Sequence, residues 1–503
     1  MLSVTECPNA PQCPAPYNMA RDVLAHAHRL ADKPALQILR VTGAERWSYG
    51  QLERTVRGVA TGLLDLGLTP GDRILLRLGN GIAFPLAFLG AIAAGLVPVP
   101  TPADLSEAEA TRLARIVAPR LIVAGDGLAL PSPAPCPVLN DAALLEFKAL
   151  PEADWNMGAP DRDAYIVFTS GSSGPPRAVV HAHRALWARR MMMEDWHGLR
   201  ETDRVFHAGA LNWTFTLGAG LFDPWLAGAT AMVAANTVDP AQIPLLLRRF
   251  DVTVFCAVPG IYRKILKLFP PLAHPRLRHG LSAGERLPPS LRAAWREATG
   301  CDVHEAFGMS ECSTFLSASP SRPAPSGALG YAQSGRRIAV LGPDGLPLPM
   351  GETGRLAVHR SDPGLFLRYD NVETKSSFHG DWFLTGDMVA MAEDGAITSH
   401  GREDDLITAG GYRISPGDIE EVFAGCPGID LVAAVEVPLR EDVTGIGLFY
   451  TGDLDEDAAR ALAQSRLSRA RQPRLYKHVD RMPLTATGKV SRRELRKEWI
   501  ATR

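Results

Sequence analysis

The sequence is poor in the features that would place it quickly. Its 7 cysteines, Cys7, Cys13, Cys136, Cys256, Cys301, Cys312 and Cys426, include no CxxC pair, and no histidine pair stands at zinc-ligand spacing. A disulfide scaffold and a structural zinc site are therefore not expected, and reduced thiols of a cytoplasmic protein are. The first 20 residues hold no basic residue and several prolines, the wrong build for a secretory leader. Charge of one sign is lacking too. With 53 Lys+Arg against 55 Asp+Glu, the net charge is -2, which gives no global attraction to nucleic acid or an anionic membrane. The apolar run over residues 82–99 is interrupted by Pro85, Gly90, Gly95 and Pro98, so it predicts a buried helix followed by a strand rather than a membrane span. A Walker A loop is also missing, because Gly488-Lys489 is followed by Val490 and lacks the upstream glycine.

What is present is ordinary globular chemistry: 503 residues with 46% hydrophobic and 21% charged, more chain than one core usually organises. From Ser48 the pattern predicts a helix over 49–66, a turn at Thr69-Pro70-Gly71, a strand over 73–78, a helix, and a strand over 96–99. That alternation argues for wound parallel α/β layers. Between 325 and 384 the texture changes to short β-rich runs split by turns such as Gly342-Pro343-Asp344-Gly345, which predicts a β-rich subdomain. After Gly401 the chain starts again. We divide it into a large N-terminal unit, 1–403, and a small α+β C-terminal unit, 404–503.

The apolar run 164–168 empties into Thr169-Ser170-Gly171-Ser172-Ser173-Gly174-Pro175-Pro176-Arg177. Small residues let backbone N–H groups converge on phosphate oxygens, hydroxyls add donors, and a terminal cation neutralises charge. A flexible Gly/Ser turn has the same composition. Further along stand Ser282-Ala283-Gly284-Glu285, Ala306-Phe307-Gly308-Met309-Ser310-Glu311, Thr385-Gly386-Asp387, Gly401-Arg402-Glu403-Asp404-Asp405, Gly410-Gly411-Tyr412-Arg413-Ile414-Ser415-Pro416 and Thr487-Gly488-Lys489.

With these motifs in this order, the chain resembles the adenylate-forming superfamily of acyl-CoA synthetases, adenylation domains and luciferases along nearly its whole length. The resemblance implies an acid:CoA ligase that uses ATP, Mg²⁺ and coenzyme A. Lys489 would reach the substrate carboxylate and the α-phosphate as the catalytic residue. The loop Thr169 to Gly174, with Arg177, would hold the β- and γ-phosphates. Gly284, Glu285 and the stretch Ala306, Phe307, Gly308, Met309 and Ser310 would frame the adenine, and Asp387 with Arg402 would take the ribose hydroxyls. Glu311 would hold Mg²⁺ with Thr169 as hydroxyl partner. Asp404 would be the hinge about which the small domain swings to present Gly410, Gly411, Tyr412 and Arg413 to CoA. The segment Gly-Tyr-Arg-Ile-x-Pro is similar to that of acetyl, medium-chain and benzoate CoA synthetases. Arg492, Arg493, Arg496 and Lys497 could meet CoA phosphates or simply form a solvated face.

The acid pocket implied by the resemblance includes Trp213, Phe215, Val258 and Gly260, mostly apolar, which points to a medium-chain acyl or aryl acid. Trp213 and Phe215 are two apart and would face one way on a strand. No Asp lies between Leu211 and Leu217, so a free amino acid is not expected. The chain departs from the family pattern at Arg177, Ala178 and Arg286, which stand where Lys, Gly and Pro are usual, and 451–470 looks short. A stand-alone enzyme loading a carrier protein and a non-catalytic nucleotide-binding homologue are the alternatives. A homodimer is compatible with the sequence.

Overall fold

A computed structural model describes residues 1–5, 11–169, 176–268, 276–409, 412–424, 426–440, 443–469, 471–484 and 490–502, with the backbone but not the side chains of 408, 409, 412, 413, 440 and 443. The fold is mixed α/β. Its largest sheet has nine strands, in the order Tyr331–Ala332, Ser313–Ser317, Val303–Met309, His279–Ala283, Val254–Cys256, Arg204–His207, Thr230–Ala234, Pro34–Arg40 and Gly43–Ser48. The interior pairs are parallel and the pairs at both edges antiparallel. A four-stranded parallel sheet is built on Arg73–Arg77 and Leu121–Ala124.

Local chemistry sets the helices between them. Tyr49–Asp65 starts at Ser48, whose hydroxyl accepts from the Gln51 amide while the Gln51 side chain accepts from the Ser48 amide, a capping box that satisfies two of the orphan donors at the helix start. Ala83–Ala93 is apolar all round and buried at every position, as a helix without a polar face must be. The strand Val97–Pro100 follows it. Among the described residues no helix is long and apolar enough to cross a membrane.

The β-rich region between 325 and 402 supplies five strands of a six-stranded antiparallel sheet, the sixth being Val4–Thr5 on its edge; in it Thr353–His359 pairs with Trp382–Met391, and Trp382–Met391 with Ile397–Arg402. A separate three-stranded sheet, Arg368–Tyr369, Arg177–Ala182 and Asp163–Thr169, joins this region to the first half of the chain. Beyond Asp405 the strands Leu431–Arg440, Val443–Thr451 and Leu475–His478 form a small sheet over a core that includes Ile419, Phe423, Ile446 and Leu448.

Candidate active site

Asp163–Thr169 and Arg177–Ala182 pair antiparallel with Thr169 opposite Arg177. The residues joining them, including Ser170, Gly171, Ser172, Ser173 and Gly174, lie outside the described residues. At one end of that connection Thr169 Oγ1 is buried and has no hydrogen-bond partner among the described residues. At the other, the exposed Arg177 guanidinium lies 5.3 Å from the centroid of the Tyr369 ring. Tyr369 is brought there by strand register, opposite Val179. Its hydroxyl donates to Glu311 Oε1 at 2.7 Å.

Glu311 sits in the tight turn between Val303–Met309 and Ser313–Ser317 and is buried. That turn is pinned by His181 Nε2 against the Ser310 carbonyl at 2.7 Å and by the Phe366 amide, which donates to the Glu311 carbonyl oxygen at 2.7 Å. Burial pushes the Glu311 carboxyl above the ordinary carboxylate range, with the Tyr369 hydrogen bond holding back part of the rise. The Tyr369 hydroxyl is itself pushed up, first by burial and then by Glu311, so it stays a donor at neutral pH. An orphaned buried hydroxyl and a buried carboxylate are both hard oxygen donors. Thr169 and Glu311 thus fit a Mg²⁺ ion whose other ligands are phosphate oxygens and water.

On the far side of the turn, Ala306 is buried in the sheet and Gly308 lies against its neighbour so closely that a Cβ there would be 2.2 Å from the Ser313 carbonyl oxygen. Phe307, Met309 and Ser310 are half-buried. Gly284 has φ +93°, and a Cβ on it would stand 2.7 Å from the Trp213 ring, so glycine is required on both counts. Glu285 follows, half-buried. Arg286, at the unusual position, reaches Glu421 of the C-terminal unit at 3.4 Å. Asp387 and Arg402 are opposite each other in register, with Arg402 Nη1 3.5 Å from Asp387 Oδ2.

The short helix Glu403–Asp405 is anchored at both ends. Arg355 clamps Glu403 at 3.0 Å, and Arg492 reaches Asp405 at 3.4 Å and Glu420 at 2.8 Å. Asp404 between them is exposed. Arg492 is therefore engaged by carboxylates, and Arg496 stands 3.3 Å from Glu436; Arg493 and Lys497 are exposed. The backbone of Tyr412 pairs with Ala409 and that of Arg413 with Thr408. Gly410, Gly411 and the segment Thr487-Gly488-Lys489 lie outside the described residues.

Beside Gly284 is a cavity of about 100 Å³ lined by Trp213, Phe215, Met309, Arg189, Ser313 and Thr314 among others. Trp213 and Phe215 do not alternate on a strand. Trp213 caps the short helix Thr214–Leu217, and the two rings meet edge to face with centroids 5.5 Å apart. A run of four helical residues is too short to show a 3.6-residue period in sequence. Phe215 also packs on His207 at 4.4 Å, serving core and cavity together. Val258 stands behind Trp213, 3.9 Å from a Cβ built on Gly284, and Gly260 has nothing within 4 Å of its own; neither reaches the cavity surface.

Beneath the apolar and aromatic lining, the floor of the cavity is polar. Arg189 is buried and holds Asp223 with two hydrogen bonds, Nε at 2.7 Å and Nη2 at 2.5 Å. Its third arm, Nη1, donates to Ser313 Oγ. His197 Nε2 is 3.0 Å from the same Asp223. Gly218 makes room, since a Cβ there would fall 2.1 Å from Arg189 Nη2. Burial alone would raise the Asp223 carboxyl, but the Arg189 guanidinium and His197 hold it well below the usual range. Sequence reasoning missed this group. The available signal was Asp223 itself, a lone acid in an apolar stretch, which must find a cation when buried.

Residues 23–369 match the family model described as AMP-binding enzyme. The benzoate–CoA ligase of Thauera aromatica is 30% identical over 98% of this chain and 99% of its own length. The mitochondrial acyl-coenzyme A synthetase ACSM2 of Rattus norvegicus is 28% identical over 97% of this chain and 93% of its own. Among solved structures, a benzoate CoA ligase from Burkholderia xenovorans LB400 superposes with a TM-score of 0.85 at 28% identity, covering 95% of this chain and 100% of that one. The anthranilate CoA ligase AuaEII, solved with anthranoyl-AMP, shares the fold with a TM-score of 0.87 at 23% identity over 98% of this chain and 99% of that one.

Proposed function

The chain belongs to the AMP-binding enzyme family, and from that premise we propose that it is an ATP-dependent acid:CoA ligase acting on a compact, single-ring carboxylic acid. The observation that carries the reading is the Glu311–Tyr369–Arg177 group, with the Arg402 charge also acting on Glu311, set one residue beyond Ser310 on the lining of a small cavity. Full-length similarity to a benzoate–CoA ligase supports it. The Trp213 and Phe215 rings in the cavity lining favour an aryl acid over a medium-chain tail.

A carboxylate is a poor electrophile, so the enzyme first makes it the nucleophile. A carboxylate oxygen bonds to the α-phosphorus of ATP, the bond to the bridging oxygen breaks, and pyrophosphate leaves with that electron pair. Negative charge gathers on the α-phosphate in the transition state, and positioned donors and cations lower its energy. Arg177 faces the β- and γ-phosphates from the end of its strand, and Lys489 serves the α-phosphate and the carboxylate. Asp387 accepts hydrogen bonds from the ribose hydroxyls, with Arg402 orienting it. The backbone at Gly284 and Ala306 to Gly308 frames the adenine, with Glu285 at its edge. Thr169 and Glu311 hold Mg²⁺, which when bound offsets triphosphate charge. In the second half-reaction the CoA sulfur attacks the acyl carbon and AMP leaves with the C–O electrons. The unit 404–503 turns about Asp404 between the two steps, bringing Gly410, Gly411, Tyr412 and Arg413 toward CoA. The free cysteines among the described residues support a reducing, cytoplasmic setting.

The test is acid-dependent exchange of pyrophosphate into ATP across an acid panel, with AMP release measured with and without CoA. Lys489→Ala should abolish adenylation; unchanged exchange in that variant refutes the assignment. AMP release that needs a carrier protein and ignores CoA would replace the acceptor.

A further inference from the structure

We infer that Ser313 is a specificity-determining hydrogen-bond donor, and that the acid carries a neutral hydrogen-bond acceptor, such as a ring hydroxyl or ether oxygen, on the part that enters the cavity. The inference rests on the acid-binding role proposed above for the cavity beside Trp213.

Ser313 lines that cavity. Arg189 Nη1 donates to its Oγ, and because a guanidinium has donors only, the serine hydroxyl must accept. Its own proton is therefore turned away from Arg189. No protein acceptor for that proton is found among the described residues. The hydroxyl is a donor with a fixed supporting bond on one side and the cavity on the other.

The backbone points the same way. Ser313 has φ +57°, in the left-handed region that glycine enters freely and a residue with a Cβ enters at a penalty of roughly 1 kcal/mol or more. Closing the turn after Glu311 needs only that conformation, which glycine would supply without strain. A serine there gives a hydroxyl in exchange for the strain, and its Oγ is the atom that Arg189 holds.

Charge decides which acceptor fits. Arg189 has its Nε and Nη2 on Asp223, so the buried guanidinium already has its counterion. A second carboxylate on the substrate would enter the floor as a buried anion without a cation, which is strongly unfavourable. A neutral oxygen needs only the serine proton. An aromatic amine, chiefly a donor, would leave that proton unused.

The experiment compares benzoates carrying a methyl, hydroxyl, methoxy, amino or carboxyl group at the ortho, meta and para positions. Hydroxyl and methyl are close in size, so their ratio of kcat/KM isolates the hydrogen bond. In the unaltered enzyme that ratio should exceed about tenfold at one ring position, with the methoxy acid sharing the preference and the amino and carboxyl acids not. Ser313→Gly should bring the ratio near one and, because it relieves the strained backbone, should melt at a higher temperature than Ser313→Ala, both variants losing the acceptor for Arg189 Nη1. Ser313→Ala should do the same to the ratio while keeping the strain. A ratio near one in the unaltered enzyme, or a ratio that survives in both variants, overturns the inference while leaving the ligase assignment intact. Absence of AMP release with every acid overturns the ligase assignment and this inference with it.

Discussion

Replacing Tyr369 by Phe tests how Glu311 is positioned. The ring is kept, and with it the contact to the Arg177 guanidinium at 5.3 Å, because phenylalanine also supports a cation above its face. The hydroxyl that donates to Glu311 Oε1 at 2.7 Å is lost. Glu311 is buried and its carboxyl already stands above the ordinary range. Removing the one side-chain donor among the described residues that favours its charged form pushes it further in that direction. A hydrogen bond to a charged group contributes about 1.5–3 kcal/mol, and loss of a partner that orients a metal ligand typically weakens metal affinity roughly 10–100-fold. The Mg²⁺ concentration for half-maximal pyrophosphate exchange should therefore rise ~10–100-fold. The rate at saturating Mg²⁺ should change far less, because the hydroxyl does not touch the reacting atoms in this reading. The assay is exchange measured across Mg²⁺ concentrations at fixed free ATP. An unchanged Mg²⁺ dependence would refute the reasoning, either because Tyr369 does not orient Glu311 or because Glu311 does not hold the ion.

Arg177→Lys exchanges the guanidinium over the Tyr369 ring for an ammonium, a change of about 1 kcal/mol at most, and should lower kcat/KM for ATP by less than about tenfold; loss beyond about a hundredfold would show that the guanidinium fork itself is required. Asp223→Asn leaves Arg189 buried without its counterion and should lower stability by about 3–5 kcal/mol, read as a shift in the urea midpoint; a change too small to measure would mean that water enters the floor. Glu305 is pushed up to about 7 by burial, even though the Leu287 amide donates to it at 2.9 Å and Arg292 lies 3.2 Å away. Its folded value exceeds the ordinary carboxylate value of about 4.3, so its contribution to stability is complete below that value and is lost as pH rises toward 7. Urea midpoints should fall across pH 5 to 7 for this reason, and Glu305→Gln should flatten the slope; an identical slope in the variant would refute the assignment.

Features whose physics is local were legible in the sequence. The capping box at Ser48 and Gln51, and the all-apolar helix Ala83–Ala93, follow from spacing and composition over a few residues. At Gly284 and Gly308 a Cβ would fall 2.7 and 2.2 Å from other atoms, and only glycine avoids that, so those motifs carry their geometry with them. Tyr369 was not legible. Nothing in Arg368–Tyr369 announces that it will lie beside Arg177–Ala182, and the contact is made by a sheet that joins distant parts of the chain. The reading of Trp213 and Phe215 as strand neighbours failed for the opposite reason: four helical residues cannot outvote a two-residue spacing.

The cavity floor carries the strongest lesson, because its members are 34 and 124 residues apart along the chain. A buried ion pair is weak evidence of stability, since well-packed apolar side chains of the same volume often do as well or better. If Arg189 and Asp223 served packing alone, an apolar pair would be the simpler solution for a site that binds an aromatic ring. What an apolar pair could not do is hold the Ser313 hydroxyl in one orientation. Asp223 fixes two arms of the guanidinium, which leaves the third with a single direction, and that direction is Ser313 Oγ. The ion pair is then a support for a neutral donor, and the chemistry it selects is read at the serine, not at the charges.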